Sequence, residues 1–339
     1  MATDVALDVG TANTRLATAK GLFFNEPTIV AIDTRTGDVV ELGYGALDLV
    51  ARTKRHVVAF RPLSQGATVD FDVTARLLSG LLDRAGVSKV SRVRIVMSVP
   101  SLATPIERRA LRQAAVQAGA REVSLIEAPL AAAIGLGLPV QDPVGSAVTV
   151  LGAGASEAAL ISLGGIVTSG TRRTGGADVD TAIATLLRQR LGVVVAPAVI
   201  ESLKFELASA LGRTRGLVET VPARTVADGE PVEVNVGADL VNLAVRDVLT
   251  TTVKMIQDSL SDAPPDLSQD ISARGLTLVG GHATLKDFAE LIATNTGVDV
   301  RVADSPDLVV VRGLQLCLEE MSSLHALFRD AEATRPRRA

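Results

Sequence analysis

Two short stretches of the chain have the residue types and spacing to hold phosphate. They are Asp8-Val9-Gly10-Thr11-Ala12-Asn13-Thr14 and Val150-Leu151-Gly152-Ala153-Gly154-Ala155-Ser156, and 142 positions separate Gly10 from Gly152. Each reads as strand, turn, strand, with a glycine two residues beyond the first strand's end. Glycine admits a close backbone approach, and successive N–H groups in such a turn form a concavity that binds phosphate oxygens. The candidates are Gly10, Thr11, Ala12, Asn13 and Thr14 in the first hairpin and Gly152, Ala153 and Gly154 in the second. Asp8 is placed to hold Mg²⁺ through water, since that ion favours carboxylates combined with phosphate. Ordinary hairpins use the same glycines, and it is the symmetric repetition that favours a ligand. A third site, Gly280-Gly281-His282, is expected to open a helix whose N-terminus faces a base or phosphate. His282 there either fills a pocket or has no role.

The elements that must position these residues are legible in outline. Strands are expected at 5–8, 15–20, 28–32, 39–42, 93–99, 123–126, 147–151, 158–163, 166–169, 217–221, 232–236, 276–279 and 298–302. A helical stripe of Phe71, Leu77, Leu78, Leu81 and Leu82 follows Gly66. Thr104-Pro105-Ile106-Glu107 combines an N-cap, a proline at the first helical position and a capping-box glutamate, so a helix is expected from there to Ala118. Further helices are expected at 179–191, 197–211 and 238–260, the last stopped by Pro264-Pro265, then from Ala283 and from Leu308. The two hairpins, each followed by a strand and a glycine-marked turn, suggest two similar domains facing each other across a cleft.

Composition narrows the function. A length of 339 residues suggests about two domains. Lys+Arg 34 against Asp+Glu 38 gives a net charge of −4, and aromatics are 2% of the chain with one Tyr (Tyr44) and no Trp. Neither a basic face nor a stacking platform is available, so no nucleic-acid partner is expected. Hydrophobic residues make up 47%. The longest nearly apolar run, 129–140, nevertheless falls well short of the roughly 20 residues of a membrane span. The single cysteine, Cys317, excludes an intramolecular disulfide and is expected to be a core thiol, while His56, His282 and His325 are too scattered for a local metal motif. The start of the chain has no signal-peptide pattern. These features predict a cytoplasmic α/β protein.

Several segments together resemble the MreB family of bacterial actins. They are Asp8-Val9-Gly10-Thr11-Ala12-Asn13-Thr14, Asn25-Glu26-Pro27, Arg61-Pro62, Glu107-Arg108-Arg109-Ala110, Ala118-Gly119-Ala120-Arg121-Glu122-Val123, Leu125-Ile126-Glu127, Ala131-Ala132-Ala133-Ile134-Gly135 and Pro264-Pro265-Asp266-Leu267. The likeness is colinear over residues 5–320 and includes stretches with no catalytic duty. It implies an actin-like ATPase fold: two facing RNase H-like domains, each with a smaller inserted subdomain, around a nucleotide cleft. Domain IA would comprise 1–30, 64–145 and 305–339, with subdomain IB at 31–63. Domain IIA would comprise 146–175 and 240–304, with subdomain IIB at 176–239. The resemblance further implies ATP and Mg²⁺ as cofactors, with Glu201 and Lys204 near the ribose and adenine beside Gly280, Gly281 and His282. It implies filaments of the chain itself or with an active paralogue, working with the complex that organises wall synthesis and cell shape at the inner face of the membrane.

The chain departs from that family where hydrolysis would occur. Val150 replaces the carboxylate of the second phosphate loop, and Ala128 replaces the glutamate linked to the attacking water. Gly175-Gly176-Ala177 lacks the family's aspartate, and His282 stands where a third glycine is usual. Losing a positioned base typically costs about 10²–10⁴ in rate, so hydrolysis is expected to be weak or lost, with Glu127 and Glu157 the carboxylates left to take its place. The loop where a membrane anchor would lie, residues 86–92, has two valines, a lysine and an arginine, a poorer anchor than an aromatic or Leu-rich face, and reads better as a plain helix-to-strand connection. The Arg-rich tail, residues 331–339, is expected to be disordered and adds some attraction to acidic lipid headgroups. The alternatives are a slow ATP-hydrolysing filament protein of ordinary type and, more remotely, a small-molecule phosphotransferase on the same fold.

Overall fold

The computed structural model describes residues 4–52, 56–87 and 93–319. Most of the 86–92 loop, His325 and the Arg-rich tail lie outside them. The elements begin β1 (Val5–Val9), β2 (Asn13–Thr18), β3 (Gly21–Pro27), β4 (Val30–Asp33), β5 (Val39–Leu42), α1 (Gly43–Arg52), β6 (Val57–Phe60), β7 (Leu63–Ser64) and β8 (Ala67–Thr68). Next come α2 (Phe71–Arg84), β9 (Val93–Val99), α3 (Pro105–Gln117), β10 (Ala120–Glu127) and α4 (Ala128–Gly135). Then follow β11 (Ser146–Leu151), β12 (Ser156–Ser162), β13 (Gly165–Arg172), α5 (Gly176–Leu191), β14 (Val193–Val195) and α6 (Pro197–Leu207). The last elements are β15 (Val218–Thr225), β16 (Pro231–Gly237), α7 (Ala238–Ser261), α8 (Pro265–Arg274), β17 (Leu276–Val279), α9 (Phe288–Thr296), β18 (Val300–Val302) and α10 (Val309–Glu319).

The chain divides into two compact units. One comprises Met1–Ser146, Ile161–Val167 and Asp307–Ala339, the other Ala147–Leu160 and Thr168–Pro306. In the first unit a five-stranded sheet runs β10-β9-β1-β2-β3. The strands β10, β9 and β1 are parallel, and β2 and β3 continue antiparallel. Residues 93–99 read as a largely apolar run, broken only by Arg94 and Ser98, because parallel strands are covered on both faces. Leu7, Leu16, Ile95 and Met97 pack there against Leu77, Leu78 and Leu81 of α2. The second unit repeats the order, β13-β12-β11-β17-β18, so the repeat of glycine hairpins reflects a repeat of sheets. Its core joins Leu151, Leu160 and Leu278 to Ile183, Ile256 and Phe288. Each unit also carries a three-stranded sheet, β5-β4-β6 and β14-β15-β16 respectively. No helix among the described residues is long and apolar enough to cross a membrane.

Local signals placed α2 and α3 correctly. Asp70 caps α2 by accepting from the Val73 N–H at 2.9 Å. At α3 the Thr104 hydroxyl accepts from the Glu107 N–H at 3.2 Å, while the Glu107 carboxylate accepts from the Thr104 N–H at 2.8 Å. Other elements depart from the sequence expectation. Helix α1 was not expected, because its cap is remote: the Glu26 carboxylate on β3 accepts from the Tyr44 N–H at 3.1 Å. Strand β3, the short strand β14 and the Ala-rich α4 were also missed. The second proline of Pro264-Pro265 starts α8 rather than only stopping α7, as a residue at the first helical position can. Helix α6 ends at Leu207, not 211, because Ala208 is extended and the Ser209 N–H is taken by Asn242 Oδ1 at 2.8 Å.

Helix α10 closes the first unit against α4. A Cβ on Gly313 would stand 1.8 Å from the Ala131 carbonyl oxygen, so no side chain fits between the two backbones. Overpacking of that kind makes Gly313→Ala expected to cost roughly 3 kcal/mol. Loss of the capping box in Thr104→Ala is expected to cost about 1 kcal/mol. Circular dichroism melting of the two variants checks the order, and a Gly313→Ala midpoint above that of Thr104→Ala would contradict this packing.

Candidate functional site

In the first hairpin, the turn between β1 and β2 is closed by the Gly10 N–H donating to the Asn13 carbonyl at 3.1 Å. Thr28 locks it from beside: its hydroxyl donates to the Gly10 carbonyl at 2.6 Å and its N–H to the Ala12 carbonyl at 2.7 Å. The Thr14 hydroxyl, 2.8 Å away, completes the chain as donor to Thr28. Thr14 and Thr28 are both wholly buried. That bonding explains why β4 starts at Val30 and not at 28, since Thr28 is engaged with the turn. Thr11 is tied outward, its hydroxyl accepting from the Gly66 N–H at 3.0 Å. Gly10, Thr11, Ala12 and Asn13 stay half-buried, a rigid turn whose tip a ligand can reach.

At the base of the hairpin the register sets Asp8 opposite Arg15. The Asp8 carboxylate accepts from the Ser98 hydroxyl of β9 at 2.7 Å on Oδ1 and meets Arg15 Nη1 at 3.5 Å on Oδ2. Arg15 Nη2 in turn donates to Asp307 at 3.1 Å, just before α10. Arg15 is 9% exposed, and its Nε has no hydrogen-bond partner among the described residues. The sequence reading expected Asp8 to hold Mg²⁺ through water, and the structure places a guanidinium on that carboxylate. Arg15 itself went unrecognised as a site residue. The available signal was a charged residue in strand register with Asp8, four residues downstream of a phosphate-type turn's first threonine.

Glu127 ends β10 and precedes α4, where Ala128 occupies the first helical position. The Glu127 carboxylate is held by Arg108 Nη2 at 2.8 Å, and Arg108 is fixed through Nε on the Ala103 carbonyl at 3.2 Å. That ion pair commits one Glu127 oxygen to a neighbouring helix's guanidinium.

The second hairpin is bound up within its own unit. The Gly152 N–H donates to the Ala155 carbonyl at 2.9 Å, and the Gly176 and Ala177 N–H groups of α5 donate to the Gly152 and Ala153 carbonyls at 3.0 and 2.9 Å. A Cβ on Gly175 would stand 2.4 Å from the Gly152 oxygen, so glycine is required where α5 meets the turn. Two N–H groups of the first turn of α5 therefore hold the hairpin's shape. Val150 and Glu157, at 8% and 4% exposed, lie in β11 and β12.

The third site differs from expectation. Gly281–Thr284 is a single 3-10 turn and α9 begins only at Phe288, so Gly280-Gly281-His282 does not open an α-helix. His282 is buried, with its ring centroid 5.4 Å from that of Phe288, and its Cβ and Nδ1 lie 3.6 Å from where a Gly176 Cβ would be. Neither ring nitrogen has a partner among the described residues. Lys204 also turns inward and pairs with Asp180 of α5 at 2.8 Å, while Glu201 is exposed. The two residues sit on α6, but Lys204 is held across helices. His56 is exposed and Cys317 buried, as expected.

Burial first, and then the Lys204 ammonium, push His282 down from the ordinary 6.5 to about 4. The folded state thus refuses a proton that the unfolded chain accepts. Stability is full above the unfolded value and falls as pH drops from about 6.5 toward 4. Between pH 7.5 and 5 the loss is expected to be about 2 kcal/mol. His282→Leu should flatten that slope in pH-dependent melting, and an unchanged slope would rule His282 out as its source.

The model of the MreB/Mbl protein family matches residues 2–326. The chain is similar to the cell shape-determining protein MreB of Escherichia coli (strain K12), 38% identical over 329 residues, 95% of this chain and 94% of that protein. Among solved structures it resembles MreB5 of Spiroplasma citri bound to ADP, with TM-score 0.88 and 24% identity over 96% of this chain and 99% of that one. It also resembles the MamK double helical filament, with TM-score 0.79 and 18% identity over 94% and 99% of the two chains. Those likenesses show the fold to be actin-like, as the sequence resemblance implied. The chain belongs to the MreB/Mbl family.

Proposed function

We propose that the chain is a cell shape-determining protein of the actin family. It forms filaments or modulates those of an active paralogue, with nucleotide as a structural ligand and hydrolysis weak or lost. One contrast carries the reading. The first glycine hairpin keeps a locked, reachable turn, whereas Val150 and Ala128 stand at the positions where the resemblance places hydrolytic carboxylates. The carboxylates nearest to replacing them are poorly placed: Glu157 is buried in β12 and Glu127 is held by Arg108. That favours this reading over a slow ATPase of ordinary type.

MreB5 of Spiroplasma citri has been solved with ADP and with AMPPNP, and MamK as a double helical filament. They support nucleotide binding and self-assembly as the family's working mode. The phosphate contacts assigned to this chain are Gly10, Thr11, Ala12, Asn13 and Thr14, with Gly152, Ala153 and Gly154. Glu201, Lys204, Gly280, Gly281 and His282 lie on the base side. The four-part division into IA, IB, IIA and IIB accompanies that assignment. Partners follow from it: further copies of the chain or a paralogue, the wall-synthesis complex, and a cytoplasmic position peripheral to the membrane. Weak anchors repeated along a polymer would act together there.

Circular dichroism melting with and without ATP-Mg²⁺ tests the binding half, since one Tyr and no Trp leave little intrinsic fluorescence. A ligand at 100 times its Kd should stabilise by about 2.7 kcal/mol. Phosphate release is expected near background for the natural sequence and at least about tenfold higher in the double variant Val150→Asp, Ala128→Glu. A double variant that folds, binds ATP and remains silent would show that the missing carboxylates are not the reason. Rapid turnover by the natural sequence would restore the ordinary ATPase.

A further inference from the structure

Resting on the reading that the Gly10–Thr14 turn holds nucleotide phosphates, we propose that Arg15 supplies the positive charge beside Asp8 that a divalent ion would otherwise supply, so that nucleotide binding by this chain does not depend on Mg²⁺. Mg²⁺ in phosphate sites is held by one or two carboxylates together with the phosphates and keeps a strict octahedral shell, partly of water. Asp8 does not fit that duty here. One oxygen accepts from the Ser98 hydroxyl at 2.7 Å and the other faces Arg15 Nη1 at 3.5 Å.

Arg15 is held for this role by its surroundings. It leaves β2 directly opposite Asp8, two residues after Asn13, just as Asp8 lies two residues before Gly10. The pair therefore brackets the turn at its base. Asp307 pins the far nitrogen at 3.1 Å, and with 9% exposure the guanidinium is shielded from water. Its charge acts through a medium that screens it less than solvent does. A dication brought to Asp8 would have to displace this cation or sit beside it, whereas phosphate at the turn meets an Asp8 carboxylate whose charge Arg15 already balances. Nε has no partner among the described residues, so the two carboxylates do not exhaust the five donors of the guanidinium.

The test compares ATP and ADP in buffer with Mg²⁺ and in buffer with excess EDTA, reading the melting midpoint by circular dichroism and affinity by calorimetry. The natural sequence is expected to bind with a Kd that EDTA changes by less than about threefold. Arg15→Leu frees Asp8 and is expected to lose roughly tenfold in EDTA and to recover when Mg²⁺ is added. Nucleotide stabilisation of the natural sequence that disappears in EDTA overturns the inference while leaving nucleotide binding intact. An Arg15→Leu protein that binds as tightly in EDTA as the natural one also overturns it. A midpoint that nucleotide moves in neither buffer removes the nucleotide reading itself, and this inference with it. Should Arg15→Leu not fold, the EDTA comparison on the natural sequence decides alone.

Discussion

A guanidinium held between two carboxylates ties together the parts of the first unit that matter most. Asp8 lies next to the end of the central strand β1, Arg15 stands across from it on β2, and Asp307 begins the segment that returns as α10. The two strands of one hairpin and a segment some 300 positions downstream thus share one buried charge. Such an arrangement adds little net stability over an apolar substitute, yet removing one member is costly because the others are left uncompensated. The base of the hairpin, the register of β1 with β2 and the entry to α10 are therefore coupled. Above this base the turn needs only backbone and hydroxyl groups, with Thr28 and Thr14 closing it from below.

The second unit reaches a similar turn by other means. Its sheet has the same order, but the hairpin is clamped by the start of α5, where Gly175 permits contact with the carbonyl of Gly152. No charge stands at the end of β11, which finishes in Val150 and Leu151. Polar chemistry is thus concentrated in the first unit, and the second offers a shaped backbone. Buried ionisable groups in the second unit, His282 and the Lys204–Asp180 pair, serve packing between α5, α6 and the turn after β17. The two units thus share a sheet order and a glycine hairpin but differ in what holds the hairpin in place.

Elements defined by neighbouring residues could be read from the sequence, and elements defined by distant ones could not. The α3 capping box and the apolar stripe of α2 rest on spacing within a few positions, and each glycine hairpin closes its own turn, Gly10 on Asn13 and Gly152 on Ala155. Helix α1 depends on a carboxylate from β3, and the end of α6 on Asn242 in α7. Both were misread for that reason. Pro265 shows a third kind of error: proline both breaks a preceding helix and begins a following one, and spacing alone favoured the first.

By itself the sequence determined the fold class, the repeat, the family and the two turns, because these rest on periodicity, local capping and short motifs. Which charged groups face each other was decided only in three dimensions. Lys204 reads as the i,i+3 neighbour of Glu201 on one helix, yet it is buried against Asp180. Arg15 reads as one polar residue in a strand, yet cross-strand register sets it on Asp8. A side chain's partner is chosen by whichever opposite charge shares its buried space, since desolvation makes an unpaired charge costly there. That space exists only once the strands and helices have packed.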